Sequence, residues 1–361
     1  MKKTYNVIGL MSGTSLDGLD IAFCEIRILN NKWEFDILET ETVDYPQVWK
    51  QLLKDAPLSD GANLALLNTS YGHWIGQTVF QFITKHKLHP RLIASHGHTI
   101  FHKPHERMTL QIGSGAAIAA ETGVTTIVDF RSLDVALGGQ GAPLVPIGDR
   151  LLFAQYDACV NIGGFANISM ETSAGRNAWD ICPANIVLNT LANKIGLPYD
   201  PEGTISSQAH MDEALFRKLE EIRFYKQPAP KSLGREWVEK EILPLINGSS
   251  ISTEVLLCTF THHVASQISK SLPVKSGSKA IITGGGAHNT YLIDLIRNQT
   301  NCEIIKPTKK IIDYKEALVF ALLGVLRVEG INNCLASATG AKMDCCSGVI
   351  NYPPKKALGN F

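Results

Sequence analysis

Residues 12–18, Ser12-Gly13-Thr14-Ser15-Leu16-Asp17-Gly18, form a small-residue connection between two apolar stretches. Phosphate oxygens need several backbone N–H groups converging on one point, and Cβ atoms obstruct that approach. Glycine removes the obstruction, and Ser and Thr hydroxyls add donors. A carboxylate in such a turn would repel phosphate unless it held a divalent cation, usually through water, and Asp17 is the candidate for that metal contact. A plain Gly/Asp hairpin has the same composition, and composition alone does not separate the two readings. Other phosphate devices are excluded. The chain has no GxxxxGK[ST], so no P-loop. Gly113-Ser114-Gly115 resembles the start of a dinucleotide fingerprint, but Ile118 stands at its third glycine and would block helix–strand packing. That segment reads as a helix start.

Two further glycine turns follow. Asn161-Ile162-Gly163-Gly164 heads a second hairpin, and Gly284-Gly285-Gly286 follows a buried strand, suited to a flat adenosine. A glycine run after a strand is commonly just a turn; three of them spread along the chain favour a nucleotide cleft between two domains. Asp180, in Trp179-Asp180-Ile181-Cys182-Pro183, lies where a strand gives way to a helix. It reads either as a helix cap or as a general base, since a cleft carboxylate with raised proton affinity can take a proton from water or a hydroxyl. His96, His98, His102 and His105 match no zinc spacing, so substrate hydrogen bonding or surface roles are preferred. Arg131, between Asp129 and Asp134, has the planar fork that suits a carboxylate-bearing ligand; a structural ion pair is the alternative.

The elements that must position these residues alternate between strand and helix. Strands are expected at Tyr5–Leu10, Leu19–Ile28, 33–44, 92–95, 124–128, 159–162, 165–170 and 280–283, and helices at 62–85, 184–195, 235–246, 253–271 and 314–328. This is an α/β pattern. The hairpin with a small-residue turn occurs twice, each time heading a similar block, which suggests a duplicated core. The 361 residues exceed one ordinary core, and the expected division is 1–145 and 146–361, with the last helices packing back on the first domain. Lys plus Arg and Asp plus Glu both number 34, so nothing suggests bulk attraction to nucleic acid or an anionic membrane. No apolar run is long enough to span a bilayer, and the N-terminus does not read as a signal peptide. Eight scattered cysteines without a CxxC pair read as reduced, mostly buried thiols of a cytoplasmic protein, with Cys345–Cys346 taken as structural.

The segments IGLMSGTSLDGLDIA, SHGHTIFHKP, LQIGSGAAIAAETG, DFRSLDVALGGQGAPLVP, NIGGFANIS, KSLGRE and TGGGAHN together resemble the anhydro-N-acetylmuramic acid kinases, from residue 7 to about residue 320. The resemblance implies the two-domain actin-like fold of acetate and sugar kinases, Hsp70 and actin, with duplicated ribonuclease H-like cores and a central cleft. It implies ATP, with Mg²⁺, and water opening the 1,6-anhydro ring of anhydro-N-acetylmuramic acid and phosphorylating O6, in peptidoglycan recycling. Carried over, Gly13, Thr14, Ser15, Asp17, Gly18 and Asp20 would hold the ATP phosphates, supported by Asn161, Gly163 and Gly164. Gly284, Gly285 and Gly286 would lie at adenosine, and Asp180 matches the catalytic aspartate. His96, Thr99, Arg131 and Asp134 fall in segments lining the sugar site. A homodimer is also implied.

The family usually reads D-T-G-P-G-N and then an aspartate; here the run is Asp180-Ile181-Cys182-Pro183-Ala184-Asn185, with Asn189 at the later position. The family's SHGQT is SHGHT, with His98. The bulkier Ile181, Cys182 and Ala184 are expected to tighten the site or alter the sugar accepted. The rival readings are a kinase of another sugar on the same fold and a non-catalytic, actin- or chaperone-like ATPase.

Overall fold

The computed structural model describes residues 2–13, 16–30, 32–173, 175–248 and 250–354. It divides into two compact units, Met1–Leu152 with Tyr314–Phe361, and Phe153–Asp313.

The first unit opens with three antiparallel strands, β1 (Lys2–Ser12), β2 (Gly18–Leu29) and β3 (Lys32–Asp44). Helix α1 (Gly61–His86) follows. Asp60 caps it by accepting from the Asn63 N–H at 2.9 Å, and Tyr71, Ile75, Val79 and Phe82 form its buried stripe. Strand β4 (Leu92–Ser95) lies parallel to β1. The hairpin of β5 (His98–Lys103) and β6 (Met108–Ile112) then leads to α2 (Gly115–Thr122), whose N-cap is Ser114. Strand β7 (Thr125–Val128) adds parallel to β4, and α3 (Val145–Leu152) closes the segment. Val7 and Ile8 are consecutive and both fully buried. Strand β1 is central in its sheet and covered on both faces, so it reads as continuously apolar rather than alternating.

The second unit repeats the plan. Strands β8 (Ala158–Ile162), β9 (Phe165–Thr172) and β10 (Gly175–Pro183) are antiparallel. Helix α4 (Asn185–Asn193) and the long α5 (Thr253–Ser271) follow. Strand β11 (Lys279–Thr283) pairs parallel with β8, α6 (Thr290–Asn298) crosses over, and β12 (Glu303–Ile305) pairs parallel with β11. The chain then returns through α7 (Lys309–Glu329), which joins the first unit from Tyr314 onward, and β13 (Val349–Asn351), antiparallel to β7.

The first sheet runs β13-β7-β4-β1-β2-β3 and the second β10-β9-β8-β11-β12. Without the edge strand β13, both are one antiparallel meander extended by two parallel strands beside its first member. This is the ribonuclease H-like core used twice, the arrangement of the actin-like fold.

Two contacts fasten α7 into the first unit. The Lys315 ammonium lies 2.7 Å from the Asp149 carboxylate, with both side chains nearly inaccessible. Gly9 of β1 faces the helix backbone so closely that a Cβ there would stand 1.8 Å from the Ala317 carbonyl oxygen. Backbone cannot yield as a flexible side chain can. Gly9→Ala is therefore expected to destabilise the protein by about 3 kcal/mol, lowering the melting temperature by roughly 6–12 °C in thermal denaturation. An unchanged melting temperature would contradict this packing.

Candidate functional site

Ligands in open α/β sheets collect outside the carboxyl ends of parallel strands, and the glycine turns sit there. In the second unit, Asn161 pairs with Thr283 at the ends of β8 and β11, which sets the Gly163–Gly164 turn beside Gly284–Gly286. The carbonyl of Gly163 accepts from the Asn185 N–H, and that of Gly164 from the Ala184 and Ile186 N–H groups, so the turn is tied to the start of α4.

These glycines are present for different reasons. Gly284 has φ +81°, and a Cβ would meet Asn161 Oδ1 at 2.6 Å; a Cβ on Gly286 would meet Ile162 Cγ2 at 2.2 Å. Both are required by the fold itself. A Cβ on Gly163 would find nothing nearer than 3.5 Å, on Gly164 nothing nearer than 3.8 Å, and on Gly285 only Asn185 Nδ2 at 3.8 Å. None of these three has a positive φ. Neither packing nor backbone conformation demands glycine at these positions, and each leaves the space a close-approaching phosphate or nucleoside would use. In the first unit Gly18 is again structural, since a Cβ would meet the Val43 carbonyl oxygen at 2.6 Å. Asp17 is exposed beside the turn. It suits a water-mediated cation. Asp20 accepts a 2.6 Å hydrogen bond from the Thr42 hydroxyl. Gly13 is half-buried at the end of β1, and Thr14 and Ser15 lie outside the described residues.

Asp180 lies in β10, where the register with β9 shifts between Asp180 and Cys182. Its N–H donates to the Lys231 carbonyl at 2.9 Å, and its Oδ2 accepts from the Leu233 N–H at 2.8 Å. Lys231 is itself anchored, its ammonium donating to the Phe224 carbonyl at 3.0 Å and lying 4.5 Å from the centre of the Phe224 ring. Burial pushes the Asp180 carboxyl above its ordinary value of 3.8, against the pull of the Leu233 N–H. Ile181, Cys182 and Ala184 are 2%, 0% and 0% exposed and belong to the core of the unit. The expectation that they tighten the site is therefore corrected: Ile181 and Cys182 turn inward at the bulge, and Ala184 is buried at the start of α4.

In the first unit, the ends of β1, β4 and β7 bring His96, His98 and Arg131 together with Ser12. His96 receives hydrogen bonds at Nε2 from Arg131 Nε at 3.2 Å and Nη2 at 2.8 Å. That ring nitrogen must be unprotonated, and the imidazole proton belongs on Nδ1, which faces the Ser12 carbonyl at 3.4 Å. Burial, with Arg131 adding to it, pushes His96 down to about 3, and burial pushes His98 down to about 4. His98 Nδ1 lies 3.0 Å from the Ser12 hydroxyl, which also accepts from Tyr45. Arg131 Nη1 donates to the Gly141 carbonyl at 2.6 Å. Thr99 accepts from Gln111 at 3.3 Å. A polar cavity of about 230 Å³ opens here, lined among others by Asn68, His96, Gln111, Ser114 and Asp129.

Asp134 differs from the expected sugar contact. It is fully buried, and its two oxygens accept from the Thr339 hydroxyl at 2.7 Å and the Gly141 N–H at 2.8 Å. Its carboxylate is consumed in holding the Gly141 loop. His102 and His105 are exposed, outside this group. Sequence reasoning missed Glu316, on α7. Its side chain is exposed to solvent, and its carboxyl feels the attraction of Arg131 and Lys315 and the repulsion of Asp20. The signal was a Lys-Glu pair just before the apolar run 317–326: Lys315 is committed to Asp149, and Glu316 joins the field of Arg131 and Asp20.

A duplicated ribonuclease H-like core with small-residue turns at its strand ends defines an α/β protein of the actin-like, sugar-kinase fold. A family model described as anhydro-N-acetylmuramic acid kinase matches residues 5–353. Relatives of that name include one from Vibrio cholerae serotype O1, 33% identical over 96% of this chain and 98% of the relative. Others come from Caldanaerobacter subterraneus subsp. tengcongensis, 32% identical over 96% of both chains, and Bacillus thuringiensis subsp. konkukian, 32% identical over 96% of this chain and 99% of the relative. The chain belongs to the anhydro-N-acetylmuramic acid kinase family, and is a sugar kinase. Among the described residues, no helix is long and apolar enough to cross a membrane.

The two kinds of glycine are separable by mutation. If Gly163 lies against the ATP phosphates, as the open space there would allow, Gly163→Ala is expected to leave the melting temperature nearly unchanged while raising the KM for ATP about tenfold, the equivalent of one or two phosphate hydrogen bonds. Gly286→Ala is expected to cost about 1–3 kcal/mol of stability, because the Ile162 side chain must move. Thermal denaturation and ATP titration of both variants check this, and an unstable Gly163→Ala protein with an unchanged KM would contradict it.

Proposed function

We propose that the protein is an ATP-dependent kinase that hydrolyses the 1,6-anhydro ring of anhydro-N-acetylmuramic acid and phosphorylates O6, giving N-acetylmuramic acid 6-phosphate in peptidoglycan recycling. The observation that carries the reading is the state of Asp180: half-buried, with its proton affinity raised, and held by one backbone N–H at Oδ2. That leaves Oδ1 to accept a proton. A kinase acting on a free hydroxyl needs its base at that hydroxyl, but the anhydro sugar has none at position 6, so Asp180 serves water instead.

Asp180 takes the proton as the water oxygen bonds to C1, and the C1–O6 bond breaks. The released O6 is then the nucleophile toward phosphorus. Bound ATP with Mg²⁺ would supply the phosphoryl group and offset its charge. Gly163, Gly164 and Gly285 have the space for nucleotide contact, with Gly13, Asp20 and Asn161 beside the turns; Thr14 and Ser15, assigned to the same contact by the sequence resemblance, lie outside the described residues. Asp17 would reach the metal through water. Neutral His96 fixes the Arg131 fork, whose remaining N–H groups would take the lactyl carboxylate of the sugar. Thr99 would add a hydroxyl contact. A cytoplasmic homodimer acting on a small sugar completes the reading, and the zero formal net charge offers no bulk attraction to nucleic acid or an anionic membrane.

Asp180→Asn keeps an oxygen for the Leu233 N–H but cannot accept the proton. Sugar-dependent ADP release should fall about 10²–10⁴-fold, with ATP affinity unchanged. The wild-type kcat/KM should lose activity on the acid side at a pH above 3.8, because burial makes the carboxylate harder to form. An Asp180→Asn enzyme with near wild-type turnover would refute the assignment.

A further inference from the structure

Cys334 and Cys345 face each other outside the machinery just described. They form an isolated antiparallel bridge with reciprocal N–H···O bonds of 3.0 and 3.1 Å. A reciprocally bonded pair places its Cα atoms about 5.5 Å apart, within the span of a disulfide. Both sulfurs and one Asp134 oxygen lie within 4.8 Å of one another. Successive side chains of an extended segment point to opposite sides, and Cys346 accordingly turns toward Arg327, its sulfur 3.9 Å from Nη1. The geometry therefore selects Cys334–Cys345 over the adjacent Cys345–Cys346 pair. Both thiols are free, at 1% and 6% exposure.

We propose that Cys334 and Cys345 are a modification site that a peroxide converts reversibly to a disulfide, and that this bond disturbs the segment carrying Arg131. Cys345 is the more accessible of the two, and the neighbouring Cys334 sulfur pulls its thiol below the ordinary value. Its thiolate attacks one oxygen of hydrogen peroxide, the O–O bond breaks, and a sulfenic acid and water result. The Cys334 sulfur then attacks the Cys345 sulfur and the hydroxyl leaves as water. Two thiols and one peroxide become one disulfide and two waters. In the reduced state the Cys334 thiol donates to the carbonyl of Phe130 at 3.5 Å, the residue before Arg131. Asp134, beside the thiols, holds the N–H of Gly141, whose carbonyl in turn holds Arg131. Drawing Cys334 onto Cys345 breaks the Phe130 contact and shifts the surroundings of Asp134. A soft cation is the competing occupant, but both Asp134 oxygens already accept hydrogen bonds. No fourth His, Cys or carboxylate among the described residues joins the group.

The effect on the sugar rests on the proposed role of Arg131, and the thiol chemistry does not. The full-length protein is reduced, treated with hydrogen peroxide, and analysed by thiol titration, peptide mapping and kinetics. Two of its eight thiols should disappear, with a cross-linked peptide joining 334 to 345. The KM for the anhydro sugar should rise about fivefold or more and recover with dithiothreitol. Cys345→Ser and, separately, Cys334→Ser should keep the untreated activity, form no such cross-link and lose the peroxide response. Thiol loss without this cross-link, a 345–346 linkage, or tightly held zinc that shields the thiols would each overturn the site. A cross-link with unchanged KM would overturn the coupling to Arg131, leaving the proposed function untouched.

Discussion

A catalytic carboxylate must be poor enough in partners to want a proton and still held firmly enough to aim. In its proposed role, Asp180 would meet both demands through the Leu233 N–H. Burial raises the proton affinity, and one donated hydrogen bond fixes the orientation without stabilising the charge fully. The donor lies in the 227–234 segment, which the Lys231 ammonium pins to Phe224 and the Lys231 carbonyl pins to the backbone of Asp180. Past the register shift in β10, Ile181 and Cys182 pack in the core, so that packing on one side of the strand would support the chemistry proposed on the other. A β-bulge at such a point re-aims a side chain at the cost of one regular pair.

The same economy appears in the first unit with opposite chemistry. There the paired groups are a cation and a neutral imidazole. His96 stays unprotonated because it is buried beside Arg131, and only in that state can it receive the guanidinium N–H groups. Protonating it would place two cations in contact. The folded state binds this proton less readily than the unfolded chain, so the stability it contributes is full above the ordinary histidine value of 6.5 and declines as the pH falls toward about 3.

Much of the fold was legible because its signals are local. The hairpins with small-residue turns, the strands at 92–95 and 280–283, and the long helices follow from apolar periodicity and punctuation over a few residues. The β5–β6 hairpin was hidden by its histidines, which drew attention to metal spacing rather than alternation. The site was legible as residue types but not as partnerships. Asp180 and Leu233 are 53 residues apart, and Asp134 and Thr339 are 205 apart. No local pattern shows that one aspartate keeps an oxygen for chemistry while the other commits both to the fold. Likewise Gly163 and Gly286 look equivalent in sequence. Only the approach of Ile162 to Gly286 shows that one glycine serves packing and the other leaves room.

In the proposed reaction Asp180 directs water to C1, and the oxygen freed from C1, rather than a pre-existing hydroxyl, becomes phosphorylated. Turnover of the anhydro sugar in ¹⁸O-water, quenched before the anomeric oxygen can exchange and read by mass spectrometry of the product, tests it directly. The product should carry one heavy oxygen at C1 and none in the sugar phosphate group. Product unlabelled at C1, or label carried in its phosphate, would contradict it.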